Sequence, residues 1–146
     1  MFTHPGKKPN FIGNELAQIF EWDEKKELDW DALKNPVHAE FYECCQRLNE
    51  TYIENSVLWQ NDYDKSSFQW ILKGEGGNAV LTFTRTSDNQ KLLAVMNFSG
   101  EDVVFNKTLA GDETLLFDTH GKETVESFED GIVCLSPFEG LLFELR

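Results

Sequence analysis

The sequence FIGNELAQIFEWDEKKELDW, residues 11–30, gives the strongest indication of the fold. A short strand signal ends at Ile12, Gly13 follows, and Asn14 and Glu15 come next. An α/β barrel presents its ligand-contacting groups in this order, because the ends of its strands form the mouth. The pattern predicts a strand that ends at Ile12 and a loop that faces a ligand. The alternative is an ordinary surface loop.

The composition is that of one globular domain with an acidic surface. The chain has 146 residues, of which 40% are hydrophobic and 27% are charged, and its net charge is −13. A polyanion is repelled by nucleic acid and by anionic lipid, so neither is expected as a partner. A neutral partner such as a carbohydrate carries no such penalty.

The cysteines and histidines predict neither a disulfide framework nor a metal centre. Cys44 and Cys45 are adjacent and Cys134 is distant, which favours free thiols in a reducing compartment. The histidines are scattered without ligand spacing, so we expect no metal and no cofactor. No apolar run is long enough to cross a membrane, and no hydrophobic segment follows the first lysines. We therefore expect a cytoplasmic protein.

A helix is predicted from about Pro36 to Glu54. Proline suits the first turn, and apolar residues then recur every three or four positions: Val37, Phe41, Cys44, Leu48 and Tyr52. We interpret this stripe as packing and the two adjacent cysteines as packing groups, because no cluster of cations lowers their pKa.

From about Leu58 onward the pattern changes to short β-type runs between turn signals. The runs are residues 67–72, 79–85, 91–98, 103–109, 114–118, 132–135 and 141–145. Their spacing is typical of an antiparallel sandwich or barrel. Residues 58–146 are therefore predicted to form an all-β domain, with a boundary near Val57.

Two groups of side chains in residues 11–30 are candidates for a carbohydrate site. Glycoside chemistry needs two carboxylates, and this stretch offers Glu15, Glu21, Asp23, Glu24 and Asp29. With 26 acidic residues in the chain, such neighbours also arise by chance, so a solvated acidic loop is the simpler interpretation. Tryptophan rings can bind sugars. We expect Trp59 and Trp70 to pack, whereas Trp22 and Trp30 stay open candidates.

The longer motifs resemble the C-terminal part of 1,4-alpha-glucan (glycogen) branching enzymes, which belong to the alpha-amylase superfamily. The matching segments are MFTHPGKKPNFIGNE, EW, LDW, RLNETY and LWQNDYDKSSFQWI, followed more weakly by VMNFS, LFDT and the residues from Leu135 to Leu145. Gly13-Asn14-Glu15 matches the motif that ends the last barrel strand of that superfamily. Leu16 stands where the family usually has phenylalanine.

The resemblance implies a mixed fold in two parts. Residues 1–57 would be a strand–loop–helix remnant of a TIM-type barrel, in which residues 2–4 close a helix and residues 8–12 are the last strand. Residues 58–146 would be an antiparallel β-sandwich. The resemblance also implies that the chain begins inside a larger fold.

The resemblance further implies binding without catalysis in this chain. The family's three catalytic carboxylates would lie upstream of Met1, so no residue here is expected to be catalytic. Asn14 and Glu15 would stand at the rim of the active site, and Gln18 and Trp22 would line its cleft. The parent enzyme would transfer α-1,4 glucan chains to 6-hydroxyls by a retaining mechanism.

The partners implied are an α-glucan and the missing barrel, with no nucleic acid and no membrane. A second copy of the chain is a further expectation, because a lone barrel strand has unpaired backbone groups that another copy could pair. Two alternatives remain open: a stand-alone carbohydrate-binding module, and a purely structural cap.

Overall fold

The predicted helix is present and begins and ends as expected. A computed structural model describes residues 1–74, 79–106, 113–121 and 132–145. Helix α1 spans Pro36–Glu54, with Pro36 in its first turn and Asn35 as its N-cap. The Asn35 side chain accepts a hydrogen bond from the Val37 amide at 3.1 Å, which satisfies one of the otherwise unpaired donors of the first turn. No helix among the described residues is long and apolar enough to cross a membrane.

Seven strands follow and confirm the β-rich second part. They are β1 (Phe68–Lys73), β2 (Val80–Thr86), β3 (Lys91–Asn97), β4 (Val103–Asn106), β5 (Thr114–Asp118), β6 (Ile132–Leu135) and β7 (Gly140–Leu145). Five strands form an antiparallel sheet in the order β1-β2-β3-β7-β5, and β4 pairs with β6 in a smaller antiparallel sheet. Of the run predicted for residues 103–109, the last three residues lie outside the described ranges.

The five-stranded sheet is covered on both faces. One cluster joins it to the small sheet through Phe105, Val133 and Leu135. The other joins it to α1, whose Leu48 and Tyr52 pack against Phe83 and its neighbours. Strand β3 is therefore buried at four successive positions, residues 92–95. Double coverage also explains why the polar residues Thr82 and Thr84 of β2 are buried.

The strand predicted at residues 8–12 is not formed, and this part of the sequence prediction is wrong. The segment pairs with no other strand in the described ranges, Ile12 lies in a turn, and Phe11 and Ile12 are exposed. A strand needs a partner to satisfy its N–H and C=O groups, and Pro9 has no N–H to offer. The first residues form a turn, in which the His4 amide donates a hydrogen bond to the Met1 carbonyl at 3.2 Å. The resemblance implied the end of a helix at this place.

The N-terminal segment is held against the β-rich part by polar contacts. Asp62 accepts from Lys8 Nζ and from Arg85 Nη2, both at 2.9 Å. Arg85 Nη1 also donates to the Thr3 carbonyl at 3.1 Å. Since Arg85 is on β2, these contacts fix the start of the chain against the main sheet.

Candidate functional site

The predicted site lies on a short 3-10 helix, Asn14–Leu16, which is anchored to α1. Gly13 precedes it with φ +82°, a conformation that glycine adopts without strain. Leu16 is 0% exposed, and its carbonyl accepts a hydrogen bond from His38 Nδ1 of α1 at 2.8 Å. The buried leucine and this hydrogen bond together fix the turn on the helix. Sequence reasoning missed His38, whose only signal was its place in the first turns of the helix.

Asn14 and Glu15 are brought together through Asn10. The Asn10 side-chain amide donates to Glu15 Oε2 at 3.2 Å, and the Asn14 side-chain amide donates to Asn10 Oδ1 at 3.3 Å. All three side chains are at least partly exposed. The arrangement orients one carboxylate and two amides toward solvent, which suits hydrogen bonding to a hydroxyl-rich ligand.

Gln18 lies on the other side of the turn and lines a cavity of about 340 Å³. The remaining walls include Ile19, Phe20, Asp29 and His38. A Cβ at Gly13 would lie 1.7 Å from Gln18 Nε2, so glycine is required for the packing as well as for the backbone. Asn14, Glu15 and Trp22 do not line this cavity. The four predicted residues therefore share one surface region but do not converge on one cavity.

Trp22 is 47% exposed and meets Phe11 edge to face, with 5.7 Å between ring centroids. Trp30 is also exposed. Trp70 packs against Phe68 and Phe83, which confirms the prediction made for it. The same prediction for Trp59 is wrong because Trp59 is 46% exposed. The preceding residues, Val57 and Leu58, occupy the core in its place.

Exposed apolar side chains are frequent in the sequence from the turn to the start of α1. They are Phe11, Ile12, Ile19, Phe20, Trp22, Trp30, Val37 and Phe41, and we call them the apolar face. Single exposed apolar residues are ordinary, but a concentration of this kind within 31 residues is typical of a surface that binds a partner or a ligand.

Of the two helix cysteines predicted to pack, Cys44 packs against the hydrophobic cluster between α1 and the sheet, and Cys45 is half-buried. All three cysteines are free thiols. Burial raises the pKa of Cys44, with Asp118 adding to the shift and Arg47 opposing it. Burial also raises the pKa of Cys45, and Cys44 and Glu15 add to that shift. A raised pKa leaves less thiolate at neutral pH, so neither is an activated nucleophile.

One group with metal-binding side chains was not found from the sequence. Asp118, His120 and Glu139 bring potential ligand atoms within 4.8 Å of one another. The two carboxylates are buried and hold the backbone: Asp118 accepts from the His120 amide, and Glu139 accepts from the Ser136 amide, both at 2.6 Å. Their evident role is to fix the turns around β5 and β7. The residues are distant in sequence, so no spacing signal could have revealed the group.

Comparison with curated proteins identifies relatives along the whole chain, although no family model matches. A 1,4-alpha-glucan branching enzyme of Oceanobacillus iheyensis is 40% identical over 101 residues, which cover 68% of this chain and 16% of that protein. A branching enzyme of Clostridium perfringens is 36% identical over 151 residues, which cover 89% of this chain and 23% of that protein. A branching enzyme of Prochlorococcus marinus is 30% identical over 173 residues, which cover 99% of this chain and 22% of that protein. The chain thus spans about a fifth of the length of these relatives.

Solved structures share the fold at lower identity. Trehalose-6-phosphate hydrolase of Bacillus licheniformis superposes with a TM-score of 0.56 at 20% identity, over 82% of this chain and 20% of that one. Isomaltulose synthase of a Klebsiella species superposes with a TM-score of 0.56 at 20% identity, over 79% of this chain and 19% of that one. At this identity the likeness concerns the fold alone.

Proposed function

This chain is related to the 1,4-alpha-glucan branching enzymes over nearly its whole length, and we propose that it serves as the C-terminal segment of such an enzyme. The complete enzyme would transfer α-1,4 glucan chains to 6-hydroxyls and so form branches. The observation that carries the proposal is the colinear relationship to about a fifth of each branching enzyme, including the Gly13-Asn14-Glu15 turn. We expect such an enzyme to act in the cytoplasm.

Within that enzyme, residues 1–57 would belong to the catalytic barrel and residues 58–146 would form a β-sandwich that caps it. Support comes from the different character of the two parts, since 3-10 turns and α1 precede an antiparallel sheet. The apolar face lies entirely in the first part, where the rest of a barrel would cover it. A second copy of the chain is the competing occupant of this face.

The chain's contribution to the reaction would be binding. Asn14 and Glu15 would hydrogen-bond sugar hydroxyls at the rim, Gln18 would line the cleft, and Trp22 would offer a ring face. The exposed, mutually hydrogen-bonded Asn10, Asn14 and Glu15 side chains support this role. The carboxylates that cleave and re-form the glycosidic bond would come from the part of the enzyme that precedes this segment.

A segment exchange tests the proposal. The corresponding segment of the Clostridium perfringens relative is replaced by this chain, and branching of amylose is followed by loss of iodine staining and by the α-1,6 anomeric proton signal. We expect the exchanged enzyme to branch amylose and the isolated chain to leave amylose unchanged. In the exchanged enzyme, Trp22→Ala should lower activity, whereas Trp59→Ala should not. Branching by the isolated chain, or a folded but inactive exchanged enzyme, would refute the proposal.

A stand-alone carbohydrate-binding module is the second candidate, favoured by the exposed rings of Trp22 and Trp30. Affinity electrophoresis of the isolated chain in glycogen gels separates it from a purely structural cap. Retardation that is lost in Trp22→Ala would support the module. Trp70→Ala shows how retardation responds when packing inside the fold is disturbed, because Trp70 packs within an aromatic cluster.

A further inference from the structure

A second cavity lies where helix α1 meets the end of strand β5. Its volume is about 800 Å³, and it shares no lining residue with the cavity at Gln18. One face of the helix forms one wall through Glu40, Glu43 and Arg47. Residues 115–121, at the end of β5 and in the turn after it, form the opposite wall. The size is within the range of about 300–1,000 Å³ that is usual for small-ligand sites.

Arg47 supplies fixed hydrogen-bond donors to this cavity. Its Nη1 donates to the Asp118 carbonyl at 3.3 Å, and its guanidinium lies over the Phe117 ring at 5.4 Å. These two contacts hold a long side chain in one orientation. Gly121, with φ +75°, lies beside the other edge of the guanidinium, since a Cβ there would be 3.5 Å from Nη2. Donors of the guanidinium therefore remain available to a ligand.

Glu40 and Glu43 supply acceptors on the same helix face. Both are exposed, and neither makes a hydrogen bond or an ion pair with any residue in the described ranges. The wall formed by residues 115–121 includes the apolar side chains of Leu116 and Phe117, which belong to the cluster between α1 and the sheet. The cavity thus combines free carboxylates, an oriented guanidinium and an apolar surface.

We propose that this cavity is a binding site for a short stretch of α-glucan, separate from the rim at Asn14 and Glu15. An anion would be repelled by the two glutamates and by the net charge of −13. A purely apolar ligand would leave the carboxylates desolvated and unpaired. A sugar donates hydroxyl protons to carboxylates, accepts from a guanidinium and places its C–H faces on apolar side chains. The choice of glucan among neutral hydroxyl-rich ligands rests on the function proposed above.

The test is a titration of the isotope-labelled chain with maltoheptaose, followed by amide shifts in proton–nitrogen NMR spectra. The informative variant carries Glu40→Ala and Glu43→Ala. A matched control carries Glu50→Ala and Glu54→Ala, which make the same change in charge on exposed residues of the same helix outside the cavity. We expect amides of residues 119–121 to shift. The dissociation constant should rise about tenfold or more in the first variant and less than about twofold in the control.

Three results would overturn the proposal: no binding of maltoheptaose, equal weakening in both double variants, or undiminished affinity in the first. The segment exchange is read separately. An exchanged enzyme that branches amylose while the cavity variant binds normally would refute this site alone. An inactive exchanged enzyme, together with selective weakening by the cavity variant, would refute the proposed function and leave the site in place.

Discussion

Replacement of Asp62 by alanine should be among the most destabilising single changes in this protein. The Asp62 carboxylate is the shared partner of Lys8 and Arg85, each at 2.9 Å. The exposed fractions of the three side chains are 11% for Asp62, 8% for Lys8 and 1% for Arg85. Alanine would therefore leave two cations without their carboxylate, one of them in the core.

The magnitude follows from the cost of an uncompensated buried charge. Breaking a buried pair by removing one partner costs about 3–5 kcal/mol. Arg85 keeps hydrogen bonds to the carbonyls of Thr3 and Leu58, but these are dipoles and do not neutralise the guanidinium. The Arg85 Nε has no hydrogen-bond partner in the described part of the chain, so it adds no compensation there for the lost carboxylate. A loss of this size corresponds to a fall in Tm of roughly 6–20 °C for a chain of this length.

Urea unfolding followed by tryptophan fluorescence measures this loss. Asp23→Ala is the matched control, because Asp23 pairs with Lys26 at 3.3 Å on the surface and should change the free energy of unfolding by less than about 0.5 kcal/mol. A second variant, Asp62→Leu with Arg85→Met, removes the anion and the core cation together. It should be more stable than Asp62→Ala, since Lys8 is then the one member of this group that keeps a charge, whereas Asp62→Ala leaves both Lys8 and the buried Arg85 without the carboxylate.

Two outcomes would refute this reasoning. One is an Asp62→Ala protein that loses less than about 1 kcal/mol, which would mean that solvent reaches Arg85. The other is a double variant that is less stable than Asp62→Ala, which would mean that the ion pair itself stabilises the fold. Limited proteolysis adds a local readout. Loss of Asp62 should expose the peptide bonds of residues 1–8, which the Lys8 and Arg85 contacts hold in place.

Three further changes probe other parts of the fold. Gly13→Ala should lower stability by about 1–2 kcal/mol in urea unfolding and displace Gln18, because alanine is strained at φ +82°; an unchanged midpoint would contradict this. Hydrogen bonds from the Ser66 hydroxyl and amide to Asp64 lower the pKa of that carboxyl, so their stabilisation is full at neutral pH and is lost as the pH falls through the folded-state pKa. Ser66→Ala should raise this pKa toward the ordinary value of an aspartate in carboxyl-carbon NMR, and an unchanged pKa would count against the assignment. Iodoacetamide should label the exposed Cys134 before the two helix cysteines, whose pKa is raised by burial; peptide mass spectrometry showing the reverse order would overturn that expectation.

The elements that the sequence predicts well are those with local determinants. Helix α1 begins at Pro36 because Asn35 caps it and proline suits its first turn, and both signals lie within two residues of the boundary. The strands follow from β-forming residues between turn residues, and the observed boundaries differ by at most one residue within the described ranges. Local chemistry is sufficient here because neighbouring residues supply the hydrogen bonds or the turns.

The features that sequence reasoning missed depend on distant partners. Residues 8–12 carry a strand signal, but a strand forms only where another backbone pairs with it. The hydrogen bond of His38 to Leu16 spans 22 positions, and the ion pair of Lys8 with Asp62 spans 54. The same holds for the candidate site: the Gly13 turn was recognisable, whereas its anchoring on α1 and the wall of acidic side chains beside β5 emerge only from packing.

The packing also changes how the β-rich part relates to the predicted site. The proposed boundary near Val57 crosses a single hydrophobic cluster, in which Leu48 and Tyr52 of α1 pack with Phe83 and Leu142 of the sheet. A shared core predicts that the two parts unfold together, because separating them would expose apolar surface on both.

The consequence for function is a continuous path of contacts from the sheet to the rim. The sheet fixes α1, His38 of α1 holds the Leu16 carbonyl, and the buried Leu16 side chain fixes the turn that carries Asn14 and Glu15. The contact of α1 with the sheet runs through the shared cluster that contains Leu48 and Tyr52. Because of this contact, the orientation of Asn14 and Glu15 depends on the β-rich part, and substitutions in its helix-facing core should weaken the glucan binding proposed for these two residues, as measured by affinity electrophoresis in glycogen gels.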